Sequence, residues 1–194
     1  MIHTEYFFPT PIYIKDIPNA KELNISLTRH IIEWSHADEG LKKTNVKGWH
    51  SGTDMHKKPE YNDLIKELFI MQQEIFKEEH LESEPLLGNM WANINYPGSY
   101  NRSHLHPNAL FSGVYYIQTP KDSGILKVMD SRQGAQLVMP RQKSGKLPAK
   151  LWREVNFPPI AGRIIIFPAW LWHGVEDNKS NELRISVSFN FLQK

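Results

Sequence analysis

The hydrophobic period of the chain changes near residue 88, and this change limits the folds open to it. Up to about Leu81, apolar residues recur every three or four positions, which is the spacing of one face of an α-helix. From Met90 onward they alternate with polar residues, which is the period of a β-strand with one buried face. The sequence therefore predicts an N-terminal strand and supporting helices in residues 1–87 and a sheet-rich core in residues 88–194. We find no repeat or linker between them, so we expect a single domain over 1–194.

The second half contains short segments of alternating polarity, separated by Pro, Gly, Asn and Asp turns. The predicted strands are Met90–Tyr96, Leu110–Gln118, Gly124–Met129, Gln136–Met139, Glu154–Phe157, Arg163–Phe167, Leu171–Val175 and Leu183–Phe191. About eight short strands predict a sandwich or jelly roll with flanking helices. The polar residues Arg184, Ser186, Ser188 and Asn190 share one face of the last strand, and Asn93 and Asn95 share one face of the first with Trp91.

Two amphipathic helices are predicted in the first half, after a short strand at residues 11–15. The first begins at Asn19, which forms a capping-box pattern with Glu22, and continues to Trp34. The second begins near Pro59 and continues to about Leu81. Residues 48–58 between them are predicted to be a polar loop. No function is predicted for the histidines of this half, including His50.

Composition excludes several classes of function. With 194 residues, 40% hydrophobic and 11% aromatic, the chain suits a globular protein rather than a disordered one. The net charge of +2 and the pI near 8.7 do not indicate a nucleic-acid partner. The chain contains no cysteine, so a metal would have to be bound by histidine, carboxylate or water. Neither a signal peptide nor an apolar stretch long enough for a bilayer is evident, so we expect a cytoplasmic protein without a membrane partner. Nothing in the sequence indicates an oligomeric state.

Three histidines form a candidate metal site. His104 and His106 are separated by one residue, so an extended segment would direct both imidazoles to the same side. His173 would join them from a later strand. Three ligands on one face of an octahedral ion leave the opposite face open for a co-substrate and dioxygen. Arg184 would then bind the far end of that co-substrate.

At these positions the sequence resembles the Fe(II)- and 2-oxoglutarate-dependent oxygenases, specifically the prolyl-4-hydroxylase-like branch and a set of small, mostly uncharacterised bacterial and phage members. The resemblance covers residues 88–192 well. It is carried by His104-Leu105-His106, Ser112–Ile117, Gly124–Leu126, Phe167-Pro168 with His173, and Arg184-Ile185-Ser186. Phe7–Pro11 and Gly48–Ser51 also resemble the uncharacterised members. The resemblance implies a double-stranded β-helix and a hydroxylation that releases succinate and CO2.

The resemblance also implies roles for particular residues. His104, His106 and His173 would bind Fe(II) as the catalytic centre, and 2-oxoglutarate and O2 would be the co-substrates, with ascorbate a candidate addition. Arg184 and Ser186 would hold the C5 carboxylate of 2-oxoglutarate. Either Tyr115 or Tyr116 would donate a hydrogen bond to it, and by alternation only one of them can point inward. Asn93 and Asn95 are further candidate contacts.

One position departs from the pattern of the family. The usual second ligand is Asp or Glu, whereas this chain has His106 there. Asp130 is the alternative ligand, because the strand that precedes it would return towards the metal. Residues 141–150 are rich in Lys and Arg and are expected to form a surface loop, or a lid over an acidic or peptide substrate.

A His-x-His pair in a sheet-rich chain occurs in several functional classes. The favoured one is a dioxygenase that hydroxylates an unidentified peptide or small molecule. The alternative is a catalytically inactive oxygenase fold that binds a metal or a partner through an altered triad. A cupin would place a glutamate where Leu110 and Phe111 stand, and a metallo-β-lactamase-like hydrolase would continue with Asp-His instead of Pro107-Asn108. These last two classes are therefore disfavoured.

Overall fold

The protein folds into a double-stranded β-helix of two facing antiparallel sheets. The computed structural model describes residues 2–5, 7–82, 84–132, 134, 137 and 148–192, and the side chain of residue 150 lies outside this description. Among these residues, the two long α-helices are α1 (Lys21–Ala37) and α2 (Asn62–Glu78). The strands are β1 (Tyr13–Asp16), β2 (Asn45–Val46), β3 (Trp49–His50), β4 (Leu86–Asn95), β5 (Tyr100–His104), β6 (Phe111–Gln118), β7 (Leu126–Met129), β8 (Glu154–Phe157), β9 (Arg163–Pro168), β10 (His173–Val175) and β11 (Arg184–Leu192).

Within the part of the chain that the structure describes, the larger sheet has six strands in the order β1-β9-β6-β11-β4-β3, and the smaller has five in the order β2-β5-β10-β7-β8. The long strand β11 pairs with β4 on one side and β6 on the other. Its inward face places Ser186 opposite Asn93 and Tyr116, and Asn190 opposite Asn89 and Ser112. The cavity between the sheets therefore has a floor of successive cross-strand rows, about 7 Å apart along the strands.

Alternation along β11 builds the main core on the outer face of the larger sheet. Its apolar residues from Ile185 to Phe191 point away from the cavity and pack with the buried faces of α1 and α2, including Leu27 and Leu68. Each such aliphatic or aromatic side chain contributes about 1.5–3 kcal/mol when fully buried. Gly113 on β6 is required here, because a Cβ at that position would lie 2.4 Å from the ring of Phe189.

Most predicted elements are confirmed, with ends that differ by a few residues. Except for residue 137, the predicted strand at 136–139 lies outside the described residues, as does most of the predicted loop at 141–150. The prediction of a capping box is wrong: Ala20 is the residue before α1, no side chain caps the helix, and Asn19 adopts a φ of 55°. The prediction of a polar loop at 48–58 is also wrong, because β3 joins the edge of the larger sheet and Met55 is fully buried.

Strands β2 and β5 were not among the predicted strands, although the expected convergence of His104 and His106 requires an extended segment there. The single-domain assignment stays a prediction. Among the described residues, no helix is both long enough and apolar enough to cross a membrane.

Candidate metal centre

His104, His106 and His173 converge on the smaller sheet, at the wall of a cavity of about 330 Å³. His104 is the last residue of β5 and lies directly opposite His173, the first residue of β10. His106 follows β5, where its backbone N–H donates to the carbonyl of Ala169 over 3.0 Å. The next residues, Pro107 and Asn108, turn the chain away, with Asn108 at a φ of 68°.

One ligand nitrogen from each histidine lies within 4.8 Å of those of the other two. The ring centroids are 4.4 Å apart for His104 and His173, 4.9 Å for His104 and His106, and 5.1 Å for His106 and His173. Imidazole is a suitable ligand for iron, and three nitrogens this close can occupy one face of a single ion. The residues present therefore fit a metal.

Two of the rings are held in the tautomer that a metal needs. Nδ1 of His104 lies 2.7 Å from the carbonyl oxygen of Arg102, and Nδ1 of His173 lies 2.8 Å from that of Leu171. A carbonyl can only accept, so Nδ1 carries the proton in each ring and Nε2 keeps its lone pair for the ion.

Burial keeps the three rings neutral. It lowers the pKa of His173 to about 3 and that of His106 to about 4, and proximity to His104 acts in the same direction on both. Burial also lowers the pKa of His104, against the hydrogen bond to Arg102. Since neutral imidazoles bring no charge, a bound divalent ion would keep its full charge for an anionic co-substrate.

The alternative ligand Asp130 does not reach this group. Its carboxylate forms a bidentate pair with Arg132, at 2.9 Å and 2.8 Å, and this pair holds the pKa of Asp130 below its usual value. Among the described residues, the candidate metal group contains three histidines and no carboxylate. The prediction that Asp130 could complete the triad is therefore not supported by its position.

Arg184 lies at the deep end of the same cavity and is 2% exposed. One of its terminal nitrogens, Nη1, donates to the carbonyls of Ser123 and Gly124 over 3.2 Å and 3.3 Å, while the buried Nε has no partner among the described residues. Gly124 has a φ of 91°, and a Cβ there would lie 2.2 Å from the carbonyl oxygen of Glu176, so glycine is required in this turn. No Asp or Glu is among the described residues that line the cavity. Burial lowers the pKa of Arg184 to about 10, as expected for a cation without an acidic partner.

A family model described as "Putative 2OG-Fe(II) oxygenase" matches residues 89–190, which hold the three histidines and Arg184. The chain belongs to this oxygenase family. No curated protein shows significant similarity to the sequence.

Solved structures of oxygenases share the fold at low sequence identity. A prolyl-4-hydroxylase from Pseudomonas putida superposes with a TM-score of 0.69 at 14% identity, over 95% of this chain and 94% of that one. The viral collagen prolyl hydroxylase of Paramecium bursaria Chlorella virus-1, in a 2-oxoglutarate complex, gives 0.62 at 13% identity, over 93% and 94%. HygX from Streptomyces hygroscopicus, with nickel, 2-oxoglutarate and hygromycin B bound, gives 0.65 at 9% identity, over 95% and 84%.

The structure distinguishes between the two candidate tyrosines of this oxygenase-family chain. Tyr116 faces the cavity, and burial raises its pKa to about 12 despite the opposing charge of Arg184. Tyr115 points to the helices, where its hydroxyl donates to Oδ1 of Asn24 over 2.6 Å. Of the two alternatives, only Tyr116 can contact a molecule in the cavity.

The candidate contacts on the floor of the cavity also separate. Ser186 and Asn93 line it, and Asn93 Nδ2 donates to Ser188 Oγ over 3.1 Å. Asn95 does not line it: its Nδ2 donates to Asn101 Oδ1 over 3.2 Å, and the residue is 1% exposed. The end of β4 buries Asn95 beside β5, so the prediction that Asn95 contacts a molecule in the cavity is wrong.

Sequence reasoning missed His50 and the outermost row of the floor. His50 is 5% exposed, lines the cavity and stacks on Trp91. In the outermost row, Ser112 donates to Asn190, and Asn190 donates to Asn89, each over 2.7 Å. The alternation of β4 and β11 was the available signal for this row, whereas a two-residue edge strand left no periodic signal for His50.

Proposed function

We propose that the protein is an Fe(II)- and 2-oxoglutarate-dependent dioxygenase that hydroxylates a polar peptide or small-molecule substrate. The observation that carries the proposal is the shared cavity of the three-histidine group and the buried Arg184, whose charge lacks an acidic partner among the described lining residues. The same cavity would thus bind the metal through the three histidines and a carboxylate through the guanidinium of Arg184. The family assignment supports the same chemistry.

The donors in the cavity suit a dianionic co-substrate. Arg184 would grip the C5 carboxylate, since a guanidinium forms strong charge-assisted hydrogen bonds with carboxylates. The hydroxyls of Tyr116 and Ser186 lie on the neighbouring row and would donate to the same end. Bound iron would supply oxygen activation, in which substrate, O2 and 2-oxoglutarate give hydroxylated substrate, succinate and CO2.

The primary substrate would approach from the side of the metal opposite Arg184. Trp91, which pairs with Ser188, contacts His106. Phe167, which pairs with Ser112 of the outermost row, contacts His173. The metal group therefore lies above the Ser188 row and the outermost row of the floor. The outermost row is made of amides and a hydroxyl, and its end residue Asn89 is half-buried. Asn89 accepts within the row through Oδ1, so its Nδ2 can donate to a polar substrate, whereas an apolar substrate would leave that donor unpaired at a desolvation cost of about 1–3 kcal/mol.

The test is 2-oxoglutarate turnover by the purified protein with Fe(II) and ascorbate in air. We expect succinate above the level of a His173→Ala control, acceleration by a matching peptide or metabolite, and none without oxygen. Succinate equal to the control throughout such a screen, with Fe(II) bound normally, would favour the inactive metal- or partner-binding alternative. The cytoplasmic location stays a prediction, for which fractionation of the native host would be the test.

A further inference from the structure

The His106 ring is anchored differently from the other two histidines. His104 and His173 each donate from Nδ1 to a backbone carbonyl two residues earlier. The His106 ring makes no hydrogen bond to any described residue. It also lies beyond the end of β5, where the strand no longer orients it. An imidazole in this situation can rotate about its side-chain torsions unless packing restrains it.

Apart from His104 and His173 themselves, Trp91 is the described aromatic ring that contacts His106 and can restrain it. The Trp91 and His106 rings have centroids 5.7 Å apart at an interplanar angle of 45°. Trp91 is itself stacked on His50, at 5.4 Å and 9°. His50 is fixed in turn, because its Nδ1 donates to the carbonyl of Ser51 over 2.7 Å. The three rings form a column, His50–Trp91–His106, from the edge strand β3 to the metal group.

We propose that His50 and Trp91 are positioning residues that orient the His106 imidazole towards the metal. The inference rests on the proposed function, since it requires that a metal bind at the three histidines. Residues that orient a ligand commonly change metal affinity by about 10- to 100-fold when they are replaced. In this chain the stacked rings of His50 and Trp91 would orient His106, as backbone carbonyls orient His104 and His173.

The readout is the affinity for Co(II), measured anaerobically by competition with a chromophoric chelator, together with the visible absorption of the bound ion. We expect Trp91→Leu to weaken Co(II) binding about tenfold or more and to alter the spectrum. His50→Ala should weaken binding by a smaller factor of about three, and His50→Phe should restore it to within about twofold, because a phenyl ring can still stack on Trp91. The exposed His36→Ala is the matched control.

A double-mutant cycle separates orientation of His106 from general damage. Adding Trp91→Leu to His106→Ala should cause no further loss of Co(II) affinity. Adding it to His104→Ala should lower the affinity by the same factor as it does in the wild type. Equal losses in both backgrounds would overturn the inference, as would unaltered Co(II) affinity in Trp91→Leu. If Trp91→Leu does not fold, the His50→Ala and His50→Phe pair decides the question. A wild-type protein that binds no Co(II) would refute the proposed function and this inference together.

Discussion

Replacement of Arg184 by methionine should uncouple the stability of the protein from 2-oxoglutarate. The pKa of about 10, against an ordinary value of 12.5, corresponds to a burial cost of about 3 kcal/mol, at about 1.4 kcal/mol per tenfold change in proton affinity. Because the folded state disfavours the charged form, this cost is present at neutral pH and disappears with the charge. Arg184→Met removes it, but leaves the carbonyls of Ser123 and Gly124 without their donor, at about 1 kcal/mol each. The variant should therefore be as stable as the wild type or slightly more so.

The response to the co-substrate should differ sharply. With Zn(II) in place of iron to prevent turnover, 2-oxoglutarate at a hundredfold excess over its Kd should stabilise the wild type by about 2.7 kcal/mol. For a chain of 194 residues this is a rise in Tm of about 5 to 11 °C. Arg184→Met should show no rise at the same concentration. An equal rise in both proteins, or an Arg184→Met variant destabilised by more than about 3 kcal/mol without ligand, would refute the reasoning.

Further outcomes concern single side chains. Tyr116→Phe should raise the Kd for 2-oxoglutarate about threefold to tenfold in a calorimetric titration, whereas Tyr115→Phe should leave this Kd unchanged and lower stability to urea by about 1 kcal/mol. His106→Ala should weaken Fe(II) binding until it is no longer stoichiometric in equilibrium dialysis, with a residual affinity from His104 and His173, while Asp130→Ala should keep stoichiometric binding; the reverse result would restore a carboxylate ligand. The depressed pKa of His173 means that the unfolded chain binds more protons below about pH 6.5. Without metal, the unfolding free energy should therefore fall by about 1.4 kcal/mol per pH unit from this residue as the pH drops from 6.5 to 4, and urea titrations of a His173→Asn variant should show a shallower fall.

The fold and most of the site were predictable where the chain repeats a period. Alternation along residues 183–191 correctly separates the core face of β11 from the cavity face, and the His-x-His spacing places two imidazoles near each other. Alternation alone could not show which of Tyr115 and Tyr116 faces the cavity, because this depends on which face of β6 is covered by α1. His50 was missed for a different reason. Its edge strand β3 is only two residues long. Trp91, the ring on which it stacks, comes next to it only when β3 pairs with β4.

The pairing of His104 with His173 has a consequence for the motions of the smaller sheet. Its central strand, β10, spans only three residues, so its hydrogen bonds to β5 and β7 should open readily. An ion bound to both histidines would cross-link β5 to β10 from within the cavity. Metal loading should therefore slow amide hydrogen exchange in these two strands while leaving exchange in β6 and β11, which the helices already cover, nearly unchanged. A map of that protection would outline the region of the fold that the metal, rather than the apolar core, holds closed.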